Sequence, residues 1–244
     1  MGALRKFVQQ LQGLSDPALH ASAVADFLAL PDAEALVEDL AEILRRTTDE
    51  PYRVAMDSLT DAFVATALPP FTYDRAEEIY RIAESRGLRA VALLFLNPPP
   101  QRAVVEGWRG DPDPEILDLT LGEQKSLARR QNSDTLARVA RLTEPSVLRI
   151  LLGNPRLTET DVVAMAARRP NAVPVLTEVM RSRRWRAAAL VRLALVHNPY
   201  LPPRLAVLLV PNLASQELVA LARAADLHPL VVEMARAVLD LRKT

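Results

Sequence analysis

The stretch ALVRLALVHNP, residues 189–199, decides the fold of this chain. Its apolar residues cover almost the whole circumference of a helix, and such a helix is buried between neighbouring elements. An Asn-Pro pair then ends it, because proline restricts the residue before it and cannot continue the helical hydrogen bonding. A second apolar run ends in the same way, at Leu152-Gly153-Asn154-Pro155. The sequence therefore predicts buried helices that end at matching turns.

Other features recur with a period of about 40 residues. Polar pairs lie at Gln131-Asn132, Pro170-Asn171 and Pro211-Asn212, separated by 39 and 41 residues. Apolar runs that begin near residues 144, 186 and 228 recur in step with these pairs. A fixed period between about 20 and 50 residues is typical of stacked repeat proteins. We therefore expect repeating helical modules in the second half of the chain.

Proline content and charge divide the sequence into three regions. Residues 1–96 form an acidic N-terminal helical region, residues 97–118 a proline-rich connection, and residues 119–244 a basic helical repeat region. Residues 1–118 carry 20 acidic and 11 basic side chains, whereas residues 119–244 carry 10 acidic and 19 basic ones. The connection is either a domain boundary or a long loop between repeats. The opposite charges indicate an electrostatically selective surface.

Local start and stop signals mark several helices. Asp32 and Thr72 precede helical patterns and predict N-caps, and Thr158 with Asp161 has the spacing of a capping box. Gly87 predicts a left-handed stop after a helix. No run alternates apolar and polar residues between hairpin turns, so strands are not expected.

The composition excludes several kinds of site. The chain has no Cys, which excludes disulfides, iron–sulfur clusters and thiolate zinc sites. Charges interrupt every apolar run before 18 residues, and the first residues lack the apolar core of a secretory signal. We therefore expect a cytoplasmic protein with no membrane partner. Of the 30 basic residues only Lys6, Lys125 and Lys243 are lysine, a bias typical of a GC-rich bacterial genome.

The helical period resembles that of two known repeat families. Three helices in about 40 residues resemble an armadillo repeat, and two helices in that length resemble a HEAT repeat. The resemblance covers residues 119–244 and extends to residues 15–96 in helix length and rhythm. The tetratricopeptide and ankyrin patterns are missing. The predicted fold is all-α, an α-solenoid of stacked two- or three-helix HEAT/armadillo-like repeats. Such solenoids offer an extended surface to a partner.

The sequence contains no recognisable catalytic or cofactor motif. His20, His197 and His228 share no helical spacing with another metal ligand, so capping or surface roles are expected. The segment Gly107-Trp108-Arg109-Gly110 lacks the lysine and the further glycine of a phosphate-binding loop. Carboxylates such as Asp39 are expected on solvated helix faces. We therefore expect no enzymatic activity, no metal ion and no cofactor.

One basic cluster is the candidate binding site of this sequence. It comprises the segment Arg181-Ser182-Arg183-Arg184-Trp185-Arg186 and two arginine pairs that end helices of successive repeats, Arg129-Arg130 and Arg168-Arg169. If equivalent positions of stacked repeats lie side by side, these residues form one basic ridge. Trp and Arg are the residue types that dominate binding hot spots. Alternatively, the arginines offset helix dipoles at C-termini, and Trp185 fills the core between helices.

The repeats and the charges favour a non-catalytic scaffold, adaptor or regulatory subunit that binds another protein. A regulator of a small GTPase or a kinase would have the same sequence features. The alternative is a nucleic-acid-binding HEAT-like protein with a role in DNA repair, because certain DNA glycosylases have this architecture. Against it, the overall pI is near neutral and the basic residues are not interleaved with several aromatic residues. The opposite charges of the two halves also favour head-to-tail self-association.

Overall fold

The computed structural model describes residues 2–14, 16–65, 72–105, 107–108 and 110–243. Every regular element in these ranges is a helix, which confirms the prediction of an all-α protein. None of the described helices is both long enough and apolar enough to cross a lipid bilayer. Arg109, in the glycine-containing segment, lies outside the described residues.

Seventeen α-helices lie in the described residues, and the longest stretch between two of them, residues 94–113, separates α6 from α7. In chain order they are α1 (Gly2–Gly13), α2 (Pro17–Leu28), α3 (Ala33–Arg45), α4 (Glu50–Ala65), α5 (Tyr73–Ser85), α6 (Arg89–Leu93), α7 (Pro114–Leu117), α8 (Leu121–Leu127), α9 (Ser133–Val139), α10 (Pro145–Leu152), α11 (Glu159–Ala167), α12 (Val173–Arg181), α13 (Arg183–Ala187), α14 (Ala189–Val196), α15 (Pro203–Leu209), α16 (Ser215–Arg223) and α17 (Pro229–Leu241). A short 3-10 helix, Val210–Asn212, lies between α15 and α16.

The chain forms two compact units. Residues 1–99 and 203–244 make the first unit, and residues 100–202 make the second. The chain therefore leaves the first unit at the proline-rich segment and returns to it at Pro203. This division differs from the three consecutive regions expected from the sequence, because residues 203–244 join the acidic N-terminal residues in one unit.

In the first unit, helices from both chain segments share one core. The helix α4 packs against α1, α2 and α3, and α3 also packs against α5 and α6. From the C-terminal segment, α17 packs against α3, α6 and α16, and α15 packs against α4 and α17. Ile43, Leu93 and Met234 are fully buried in this core. The return of the chain at residue 203 therefore completes the unit.

Predicted helix ends are confirmed where the signal is local. Asp32 and Thr72 each accept a hydrogen bond from the backbone N–H three residues later, at 3.0 and 3.4 Å. Gly87 has a φ of +68°, and the N–H of Leu88 donates to the carbonyl of Ala83 at 2.8 Å. This is the Schellman arrangement that glycine favours after a helix.

Asp39 departs from the expectation of a solvated carboxylate. Its side chain on α3 is buried, and it accepts a hydrogen bond from the backbone N–H of Leu4 in the first turn of α1. Burial raises the pKa of Asp39, and the hydrogen bond from Leu4 opposes that rise. The positive N-terminus of α1 therefore lies against a carboxylate of another helix.

The second unit contains two successive sets of helices. The first set is α8, α9 and α10, and the second is α11, α12 and the pair α13 and α14. In each set the first helix packs against both the second and the last, and α10 of the first set also packs against α12. The predicted capping box at Thr158 and Asp161 is confirmed at the start of α11.

A buried asparagine closes each set. Asn154 follows α10, and its Nδ2 donates to the carbonyl oxygens of Ala128 and Arg130, at 2.9 and 2.8 Å, just after α8. Asn198 follows α14 and makes the same two kinds of bond to the end of α11, at 2.6 and 3.0 Å. Each Oδ1 also accepts the backbone N–H two residues later, at 2.9 and 3.0 Å. The two Asn-Pro turns therefore hold the last helix of a set against the end of its first.

Candidate binding surface

The direction of the helices in the second unit determines where each arginine lies. The helices α8 and α10 end together at Asn154, and α11 begins only five residues later. In turn, α11 and α14 end together at Asn198. The nine residues of α11 span about 13 Å, so the two asparagines lie near opposite ends of α11. Consecutive sets therefore run in opposite directions.

These two ends of the second unit carry different arginines. We name them the α10 end, where α8, α10 and α12 terminate, and the α14 end, where α9, α11 and α14 terminate. Arg129 and Arg130, which follow α8, lie at the α10 end together with the segment 181–186, which follows α12. Arg168 and Arg169, which follow α11, lie at the α14 end.

Trp185 lies in the core of the α10 end. Its side chain is only 4% exposed, and the indole Nε1–H donates to the carbonyl of Leu152 at the end of α10, at 2.7 Å. A buried indole that donates its N–H to a backbone carbonyl is a structural anchor. Of the two roles that the sequence left open for Trp185, the structure therefore shows the core position.

Arg186 is also buried, contrary to the expectation of an exposed basic cluster. Its side chain is 2% exposed, and Nη1 donates to the carbonyl of Met180 at 2.8 Å near the end of α12. The guanidinium therefore donates to a carbonyl group at the C-terminal end of α12, where its positive charge interacts favourably with the helix dipole. Neither Trp185 nor Arg186 offers side-chain surface to a partner in this conformation.

Arg181 is exposed and is held by a buried carboxylate. Glu178 of α12 is 2% exposed, and its Oε1 accepts a hydrogen bond from Arg181 at 2.7 Å. Arg149 of α10 binds the same carboxylate with Nε and Nη2, at 3.2 and 3.0 Å. The pairing with Glu178 raises the pKa of Arg149. One inward-pointing carboxylate thus positions two outward-facing guanidinium groups on adjacent helices.

The remaining arginines of the α10 end lie at or near the surface. Arg184 is exposed, and its guanidinium carbon lies 4.2 Å from the centre of the Trp185 ring, a cation–π contact. Arg129 is exposed and donates to the carbonyl of Lys125, while Arg130 is exposed and Arg183 is half-buried. The α10 end therefore presents several arginines on fixed helix ends.

Arg168 and Arg169 bind carbonyl groups at the α14 end. Arg168 is half-buried and donates to the carbonyl of Ala140 after α9, at 2.9 Å. Burial lowers the pKa of Arg168, and the nearby cation of Arg141 lowers it further. Arg169 is exposed and donates to the carbonyl of His197 after α14, at 2.6 Å.

The expected basic ridge is therefore divided between two ends of the second unit. Equivalent pairs in successive repeats would lie side by side only if the repeats ran in the same direction. Here the chain passes from α10 to α11 through a short turn and reverses, which carries the second arginine pair about 13 Å along α11 to its far end.

A pocket of about 410 Å³ lies between α9 and α11. Arg168, one of the predicted site residues, is part of its lining. Its lining combines small and charged side chains: Asp111, Ala137, Ala140, Arg141, Asp161, Ala164, Met165 and Arg168. Apart from Arg168, the sequence patterns do not single out this pocket, because its lining comes from three separated segments.

The histidines lie in three unrelated places. His228 caps α17, where its Nδ1 accepts the N–H of Leu230 at 3.1 Å, and burial lowers the pKa of His228. The ring of His20 is buried in the first unit, with Nε2 3.0 Å from the carbonyl of Leu14 and Nδ1 3.0 Å from Ser58 Oγ. Within the described ranges, no group of three His, Asp or Glu side chains is placed to hold a metal ion.

No protein-family model matches this chain, and neither a curated protein nor a solved structure matches it. The class that the fold and the surface define is an all-α protein whose second unit presents arginines at two ends.

Proposed function

We propose that this chain is a non-catalytic scaffold, adaptor or regulatory subunit of a bacterial cytoplasm, an α-solenoid of HEAT/armadillo-like repeats that binds another protein through a charged surface. The repeat architecture is supported by Asn154 and Asn198, which close two successive helix sets with the same hydrogen bonds. Repeat proteins of this kind act by presenting side chains on a rigid, extended surface.

The observation that carries the proposal is the set of arginines fixed at the α10 end. Glu178 holds Arg181, and the ring of Trp185 holds the guanidinium of Arg184. A side chain that is already ordered loses less conformational entropy on binding than a free one. Arginine is also the cation best suited to carboxylates, because its planar fork can donate two parallel hydrogen bonds. These arginines therefore suit a partner with an acidic surface.

The charges of the two units agree with an acidic partner for the second unit. Residues 100–202 contain 16 basic and 11 acidic side chains, a net charge of +5, whereas the first unit contains 14 basic and 19 acidic ones, a net charge of −5. Complementary charge increases the association rate and excludes partners of the wrong sign. A second copy of this chain, through its acidic unit, is one such partner.

The proposed partner-binding surface has two patches. The main patch, at the α10 end, comprises Arg129, Arg130, Arg181, Arg183 and Arg184. The minor patch, at the α14 end, comprises Arg168 and Arg169. Trp185 and Arg186 are buried beneath the main patch. Their hydrogen bonds to the carbonyls of Leu152 and Met180 hold in place the segment that carries Arg181, Arg183 and Arg184.

An affinity capture with matched charge variants tests the proposal. The full-length protein is used as bait in extract of its native cell, beside R181Q/R183Q/R184Q and the control R5Q/R53Q/R223Q, which removes the same charge from exposed positions of the first unit. We expect a defined partner protein with wild type and with the control, and its loss with the α10-end variant. Equal capture by both variants would contradict the proposed surface.

The same experiment distinguishes nucleic acid from protein. Surface arginines can also bind phosphates, and affinity for nucleic acid then falls steeply with salt in proportion to the number of contacts. If nuclease treatment releases the captured material and purified duplex DNA competes, the chain is a nucleic-acid-binding protein. If the bait itself elutes as a salt-sensitive oligomer in size-exclusion chromatography, the partner is a second copy.

A further inference from the structure

The pocket between α9 and α11 has a defined origin in the sequence. Asp161, Ala164, Met165 and Arg168 follow one another on α11 at spacings that place them on one face of a helix. Ala137, Ala140 and Arg141 occupy the facing positions at the end of α9. Three of these side chains are alanine, whose single methyl group leaves the space between the two helices open.

Two arginines meet at one end of this pocket, and no carboxylate of the described residues forms a salt bridge with either. Arg168 donates one hydrogen bond, to the carbonyl of Ala140, although a guanidinium has five N–H donors. The guanidinium of Arg141 donates no hydrogen bond to the part of the chain that the structure describes. Burial and the cation of Arg141 both lower the pKa of Arg168, and the carboxylate of Asp111 opposes that fall.

The two carboxylates of the pocket do not neutralise this pair by direct hydrogen bonds. Asp161 Oδ2 accepts the backbone N–H and the hydroxyl of Thr158, at 2.9 and 2.6 Å, and completes the capping box of which Thr158 is the N-cap. Asp111 is exposed at the rim, and it accepts no hydrogen bond from the described residues, although its charge acts on Arg168. The donors that remain for a ligand are therefore those of Arg141 and Arg168.

We propose that this pocket binds a small molecule through an oxyanion, a carboxylate or phosphate group received by Arg141 and Arg168. An oxyanion would relieve the repulsion between the two guanidinium groups and accept their unused N–H donors in charge-assisted hydrogen bonds. The volume of about 410 Å³ lies in the range of small-molecule sites. The methyl groups of the alanines and the buried Met165 would contact the apolar part of such a molecule.

This site is separate from the main patch of the proposed partner-binding surface. It lies between α9 and α11, whereas the main patch lies at the α10 end of the second unit. Arg168 belongs both to the pocket and to the minor patch, but the pocket and the main patch share no residue. The R181Q/R183Q/R184Q variant therefore tests the partner-binding surface alone, and R141Q tests the pocket alone.

Isothermal titration calorimetry of the full-length protein in low-salt buffer tests the site with inorganic phosphate and with succinate. Three variants accompany the wild type. R141Q removes the arginine that has no hydrogen bond to the described residues, and A164L keeps every charge and fills the pocket. R223Q is the control, because it removes an exposed arginine of the first unit that belongs to neither proposed site. Thermal melts confirm that each variant is folded at the temperature of the titration.

We expect saturable binding at one site that is unchanged in R223Q. R141Q should bind at least about tenfold more weakly, since a charge-assisted hydrogen bond of this kind contributes roughly that factor. A164L should weaken binding by at least about as much, because its larger side chain occupies the pocket. Binding of phosphate alone identifies a phosphate ligand, and binding of succinate alone identifies a carboxylate ligand. The proposal is overturned if neither probe binds, or if R141Q and A164L bind as tightly as the wild type.

Discussion

Asn154 and Asn198 make equivalent hydrogen bonds 44 residues apart in the sequence, each from a buried position after the last helix of its set. Each amide donates two N–H groups to carbonyls at the end of the first helix and accepts one backbone N–H in its own turn. The bonds satisfy carbonyl groups that an ending helix leaves without partners. A single residue type therefore closes both sets of the second unit.

Replacing either asparagine with alanine should destabilise the second unit by about 2–4 kcal/mol, because one buried and one partly buried carbonyl group lose their donor. Asn97 provides the matched control, since it also precedes proline after an apolar run but is exposed. N97A should change the free energy of unfolding by less than about 0.5 kcal/mol, as most surface substitutions do. Urea denaturation followed by circular dichroism measures all three variants. Equal effects for N97A and N154A would show that the closing bonds do not stabilise the unit.

Trp185 should matter for stability and not for partner contact. W185F keeps an aromatic ring but removes the donor to the carbonyl of Leu152, so we expect a loss of about 1–3 kcal/mol. W185A also leaves a cavity in the core and should lose about 3–5 kcal/mol. Below its melting temperature, W185F should retain binding of the captured partner. If W185F is as stable as the wild type but cannot bind, Trp185 contacts the partner directly.

His228 should make stability depend on pH through the cap of α17. Its Nδ1 must be unprotonated to accept the N–H of Leu230, and burial lowers the pKa of His228 below the ordinary value of 6.5. The folded state therefore binds fewer protons than the unfolded state between the lowered pKa and 6.5. The contribution is fully present above pH 6.5 and is lost as the pH falls through the lowered pKa.

H228N is the control for this effect, because asparagine caps a helix without titrating in this range. When the pH is lowered from about 7.5 to about 5, the unfolding free energy of the wild type should fall by more than that of H228N, so the difference between the two changes. A difference that stays constant over this interval would exclude a neutral His228 cap.

Gly87 should be sensitive to substitution although space surrounds it. A Cβ added at this position would meet no atom of a more distant described residue within 4 Å, so G87A introduces no clash there. The substitution nevertheless forces an L-residue into a φ of +68°, and we expect a loss of about 1–2 kcal/mol in thermal denaturation. Gly13 ends α1 without a positive φ, so G13A should be neutral or stabilising. A neutral G87A would mean that the Schellman turn can rearrange at little cost.

Features specified by neighbouring residues were predictable from the sequence. The caps at Asp32 and Thr72, the stop at Gly87 and the capping box at Thr158 each depend on residues within one turn of the chain, and all four are confirmed. The all-α class follows for the same reason, since helical periodicity is local.

Features that depend on distant partners were not predictable. The acceptor of the Trp185 indole lies 33 residues earlier in the chain, and Arg149 reaches Glu178 across 29 residues. The sequence shows an arginine-rich segment around a tryptophan, but not which of these side chains turn inward. The chain reverses between α10 and α11, and this reversal places the two arginine pairs at different ends of the second unit. A repeat period does not show whether successive repeats run in the same direction.

The pocket was not predictable either, because its lining comes from segments that are separated in the sequence. Alanine is common in helices, and arginine is common near helix C-termini. The alanines of the pocket and Arg141 therefore give no signal in the sequence that marks a binding site. Only the packing of α9 beside α11 brings Arg141 and Arg168 into one cavity. The signal that sequence reasoning could have used is the series of residues 161, 164, 165 and 168, which places two charges and two apolar side chains on one helix face.

The most direct measurement of the central claim is hydrogen–deuterium exchange of the full-length protein with and without its captured partner. The account predicts slower exchange on binding in residues 128–132 and 181–187, the segments that carry the main arginine patch. Protection confined to the first unit, or equal protection of the R181Q/R183Q/R184Q variant, would contradict it.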